Sequence, residues 1–165
     1  MSFFRSMIIL TVFALTGCSE PESIEEISSK ILKVEQAGGA LYITVKTRGY
    51  DGGASDLNSI SYIVFNVLEW VMENRPEQQE YVDFSIIAGT VDPYGNESDM
   101  KVLSLSYPVT ELQKVNWENF SALSIYNLAE PYSHHRIGRE MVANYCSDET
   151  YQNFARAFCV RFLLQ

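Results

Sequence analysis

The sequence predicts an α+β domain: two β-hairpins forming a mostly antiparallel four-stranded sheet around one amphipathic helix, with further helices behind them. Three observations predict it. Two pairs of short segments alternate apolar and polar residues with the period of two that a half-buried strand requires. A long segment between the pairs repeats its apolar residues at helical spacing. After Pro108 the patterning turns helical. The expected order is β-β-α-β-β followed by helices. At 165 residues and 47% hydrophobic content, the chain suits one domain with an ordinary core.

The first hairpin is read from Ile31 to Gln36 and Leu41 to Thr47, joined by Ala37-Gly38-Gly39-Ala40. Leu41, Ile43 and Val45 alternate with Tyr42, Thr44 and Lys46, and the Gly-Gly pair supplies the positive φ of a tight turn. Gly49 to Ser55 is glycine-rich, but no Lys-Ser/Thr follows at Walker spacing, so it reads as a loop and not a phosphate cradle. Leu57 to Glu73 is the clearest helix, with Leu57, Ile60, Val64, Val67, Leu68 and Val71 on one stripe and Pro76 closing it.

Val82 to Ala88 and Leu103 to Tyr107 alternate again, around the turn-rich run Asp92 to Asp99. That acidic run does not match a calcium loop. Thr110 to Val115, Trp117 to Ala129, Ile137 to Tyr145 and Thr150 to Phe158 read as helices. Pro131 ends the second, and Ser147-Asp148-Glu149 caps the start of the last. Residues 159–165 fit either a helical extension or a final strand.

Few residues carry chemistry. His134 and His135 are the only histidines, and neighbours in sequence diverge on a helix or strand, so they make a poor metal pair. A loop after Pro131 could bring them into a polar cleft with Arg136, Arg139 and Glu140. No nucleophile elbow, zinc motif or cofactor motif is present; no catalytic residue, metal or cofactor is assigned. Cys146 and Cys159 are candidates for a disulfide, provided the intervening helix is short or broken. A straight one would hold them roughly 19 Å apart, where a bridge needs about 7 Å or less. Tyr42, Tyr81 and Tyr94 fall on outer faces or in a loop, where tyrosine suits an interface.

The N-terminus carries an address. Arg5 precedes an uncharged run from Met7 to Leu15, too short to span a bilayer, which needs roughly 20 apolar residues. Directly after it, Leu15-Thr16-Gly17-Cys18 resembles the lipobox of bacterial lipoproteins; the resemblance covers residues 1–18 only. It implies a signal peptide over residues 1–17, diacylglycerol attached to Cys18, and cleavage before it. With Ser19 after the cysteine, the resemblance further implies outer-membrane sorting, with the domain facing the periplasm. Residues 18–29, acidic and containing Pro21, read as a tether, with a helical turn over Ile24 and Ile27 as the alternative. Residues 30–165 form the expected domain.

The formal charge is −9, and Arg5 is the only charge before Cys18, so the processed chain carries 11 basic and 21 acidic side chains. Such a surface repels phosphate, which argues against nucleic acid and against membrane binding without a covalent anchor. The functional expectation is a non-catalytic envelope lipoprotein, held to the bilayer by acylated Cys18, that binds an envelope protein or has a structural role. The alternatives are a hydrolase using His134 or His135 as general base, or a small-ligand binder.

Overall fold

A computed structural model describes residues 21–47, 54–133 and 135–163. The signal peptide, Cys18, Ser19, most of the Gly49–Ser55 loop and His134 lie outside the described residues. The protein is α+β, and the described residues form a sheet of five strands in sequential order, β1 to β5. These are β1 (Ile31–Ala37), β2 (Ala40–Lys46), β3 (Tyr81–Val91), β4 (Glu97–Pro108) and β5 (Glu130–Ser133).

Both departures from the expected four-stranded sheet have physical causes. β2 and β3 are parallel, while the other three pairs are antiparallel. The helix α2 (Ala54–Asn74) lies between them in sequence and carries the chain back to the end from which β2 started, so β3 runs in the same direction. The fifth strand contains Pro131, which lacks an N–H and reads from sequence as a helix stop. On an edge strand that missing donor costs no ladder bond, and Pro131 pairs with Leu105 at the sheet margin.

One face of the sheet makes the core. Leu41, Ile43, Val45, Val82, Phe84, Ile86, Leu103, Leu105 and Tyr107 are buried, whereas Tyr42, Thr44, Asp83, Ser85, Ser104 and Ser106 between them are partly or fully exposed. The six stripe residues read from the sequence of α2 are all fully buried against this face. At Ile86/Ile87 the β3–β4 register slips, leaving Val102 as an extra residue, so Val102 and Leu103 are both buried.

The tether reading fails over residues 21–29. Ile24–Ile27 forms a short helix, α1, and Ile24 is buried in the core. After β4 comes the one-turn α3 (Val109–Leu112), shorter than expected. The expected helix from Trp117 to Ala129 is instead two 3₁₀ segments, Trp117–Asn119 and Ala122–Leu128. Aromatic, Ser and Asn residues there are weak helix formers, and the Ser121 hydroxyl caps the second segment by accepting from the Leu123 N–H. α4 (Arg136–Ser147), α5 (Glu149–Phe154) and α6 (Arg156–Leu163) complete the chain, with Asp148 capping α5 as read from sequence. The last run is therefore helical through Leu163.

The bridge condition is met. The chain between the cysteines breaks at Ala155, where φ is −112° and ψ is 33°, and the Cys146–Cys159 disulfide closes with Cα atoms 5.6 Å apart.

Candidate functional site

The polar cleft expected around His135 is only partly assembled. His135 is the N-cap of α4, and its Nδ1 accepts a hydrogen bond from the Ile137 N–H at 3.2 Å. Arg136 and Glu140 form an exposed ion pair at 3.5 Å, and Arg139 is exposed on the same helix. His135 and Arg136 do line a groove of about 410 Å³, but its other wall is Thr90, Val91, Asp92, Ser98 and Met100 from the β3–β4 hairpin. Among the described residues no three His, Cys, Asp or Glu side chains cluster closely enough to hold a metal ion.

That hairpin is the more unusual feature. β3 and β4 have 11 and 12 residues, against seven in β2 and four in β5. β2 ends opposite Ile87 and β5 reaches only Leu103, so residues 88–100 project past both neighbours as a two-stranded arm. Every residue from Val91 to Lys101 is exposed, including Val91 at 63%, Tyr94 at 90% and Met100 at 37%. The tip is held in shape rather than loose. The Asp92 carboxylate accepts from the Tyr94 and Asn96 N–H groups and the Asn96 amide, each at 2.8 Å. The Asn96 side chain first, then these backbone donors, holds the Asp92 carboxyl below the usual range. Gly95 supplies the positive φ (86°) that closes the turn, and Lys46 pairs with Asp99 at 2.7 Å across the arm's base. Asp92, Glu97 and Asp99 make the arm acidic on balance.

A second groove, of about 740 Å³, lies along the last turns of α2 between Pro21, Glu26, Ile27, Asn66, Glu69, Trp70, Glu73 and Asn74. Burial, and then the nearby Glu73, raises the Glu69 carboxyl above its ordinary range. The Trp70 ring carries Arg75 over its face at 5.2 Å.

Buried aromatics lock the helical layer. Tyr107, Tyr126 and Tyr145 are fully buried; Tyr126 meets Tyr145 edge-on at 5.5 Å and donates from its hydroxyl to the Leu57 carbonyl at 2.6 Å. Burial pushes all three phenols upward, with neighbouring tyrosines adding to the effect.

Of the tyrosines expected to be exposed, Tyr42 and Tyr81 are about two-fifths exposed and Tyr94 almost wholly so. Sequence reasoning missed Val91 and Met100 as surface features. The arm's length is hidden because the alternation fades at Gly89-Thr90. No family model matches the chain, and neither the curated proteins nor the solved structures yield a match.

Proposed function

We propose that the protein is a lipid-anchored envelope protein, held by acylated Cys18 in the outer membrane and facing the periplasm, that binds another protein through the β3–β4 arm. The arm carries the reading. It exposes Tyr94 on a pinned turn, and Val91 and Met100 on the two strands that lead to it. Isolated apolar residues on a surface need no explanation, but three on one projecting acidic arm fit an apolar pocket rimmed by Lys and Arg on a partner. The anchor reading rests on Leu15-Thr16-Gly17-Cys18. Among the described residues no helix is long and apolar enough to cross a membrane.

Two measurements test the two halves. Cys18→Ala should abolish metabolic labelling by a palmitate analogue; unchanged labelling rejects the anchor. For the arm, a photo-crosslinking residue at position 94 should give one discrete adduct in intact cells, and Val91→Asp with Met100→Asp should remove it. Adducts of equal yield from position 94 and from Gln113, at the opposite end of the domain, reject the arm as a specific site.

A further inference from the structure

We infer that the domain stands upright on the bilayer, with the end containing the α2–β3 connection against the lipid headgroups and the β3–β4 arm pointing away from them. This rests on the anchor reading above and adds the direction in which the anchored protein presents its binding surface.

The chain length outside the domain is the first support. Only three peptide steps separate Cys18 from Pro21, a reach of about 11 Å at full extension. Pro21 is already fastened: its carbonyl accepts from the Trp70 indole N–H at 3.0 Å, and Ile24, three residues on, is buried. A lipid on Cys18 therefore cannot act through a long flexible leash; it holds the domain close to wherever Trp70 lies.

Topology then fixes which end that is. Trp70 sits in the last turns of α2, four residues before its end at Asn74. The chain then turns at Pro76–Gln79 into β3. The same end holds the β1–β2 turn, since the Glu80 N–H donates to the Gly39 carbonyl at 2.7 Å, and the start of α3, since the Val109 N–H donates to the Glu80 carbonyl at 2.9 Å. β3 leaves this end and runs 11 residues to Val91, roughly 33 Å away at the usual strand rise. The arm tip is thus at the far end of the longest strand pair from the anchor.

Charge keeps the lower end from sinking into the membrane. Glu22, Glu73, Glu77, Glu80 and Glu111 are exposed there, while Arg75 lies over Trp70 and Lys114 is paired with Glu111 at 2.6 Å. Burying those carboxylates in hydrocarbon would be costly, so this end rests at the bilayer surface through the anchor and does not insert.

The test uses the full-length, lipidated chain in vesicles containing a headgroup-labelled energy acceptor. Fluorescent donors are placed on Glu77→Cys or, separately, on Asn96→Cys, with the native disulfide left oxidised. The Glu77→Cys donor should be quenched several-fold more strongly than the Asn96→Cys donor. A twelve-residue Gly/Ser insertion after Ser19 adds a random coil of about 19 Å, and should shrink the difference. Equal or reversed quenching in vesicle-bound protein overturns the upright orientation while leaving the anchor intact. Failure of the protein to float with the vesicles overturns the anchor, and the orientation with it.

Discussion

The indole N–H of Trp70 donates to the Pro21 carbonyl at 3.0 Å, joining the first described residue of the chain to the last turns of the longest helix. A residue expected in a tether is thereby part of the domain. Trp70→Phe keeps most of the ring and deletes the donor. It should cost about 1 kcal/mol or less globally, the usual worth of one hydrogen bond. The local effect is larger: amide exchange of Glu26, whose N–H bonds to the Ser23 carbonyl at 3.2 Å, should accelerate while the α2 amides stay protected. Unchanged exchange at Glu26 would show that Ile24 alone holds the segment.

Glu69 gives the same groove a pH dependence. Its folded-state pKa is raised, by burial first and by Glu73 second. A carboxyl whose pKa is higher folded than unfolded binds more protons in the native state, so its ionisation opposes folding above the folded pKa. Glu69→Gln should therefore raise the melting temperature at neutral pH. The gain should shrink as the pH falls through the carboxylate range and vanish below the unfolded pKa. A gain that stays constant with pH would point to packing and not to charge.

Much of the core was legible in sequence, and the reasons are local. The α2 stripe repeats over about four turns, and the alternation in β2 and β3 is uninterrupted from Leu41 to Val45 and from Val82 to Ile86. Each signal depends on neighbours in sequence. β5 was not legible, because its strand character comes from pairing with Leu103 to Ser106, more than twenty residues earlier in the chain. The 3₁₀ segment around Tyr126 likewise depends on tertiary bonds: the Arg161 guanidinium donates to the carbonyls of Asn127 and Ala129 at 2.7 and 2.9 Å. Of the expected polar cleft, His135 and Arg136 face a groove whose opposite wall is a hairpin arm that alternation could not measure.

The disulfide joins the end of α4 to the middle of α6, and both cysteines are buried. Replacing both with Ser should lower stability by roughly 2–4 kcal/mol, in line with closure of a short loop. Alkylation without reductant, followed by mass spectrometry, should find no free thiol in the oxidised domain. Under reductant, amide protection should fall first in α5 and α6, which the bridge ties back to α4. Simultaneous loss across the sheet would mean that the bridge supports the whole core.

Two buried tyrosines separate the value of a hydroxyl from the value of a ring. Tyr107 packs edge-on against Phe84 at 5.7 Å, and its hydroxyl has no hydrogen-bond partner among the described residues. The Tyr126 hydroxyl, by contrast, donates to the Leu57 carbonyl at 2.6 Å, tying the 3₁₀ segment to the first turn of α2. A buried polar group without a partner costs free energy, whereas a bonded one contributes about 1 kcal/mol. Tyr107→Phe should therefore leave stability unchanged or raise it, and Tyr126→Phe should lower it by about 1 kcal/mol. Both substitutions retain the ring, so packing against Phe84 or Phe158 does not distinguish them. Denaturant melts of the two variants give the comparison directly. A loss at Tyr107→Phe equal to that at Tyr126→Phe would mean that a buried water satisfies the Tyr107 hydroxyl, placing a solvent site inside the tyrosine cluster between the sheet and the helices.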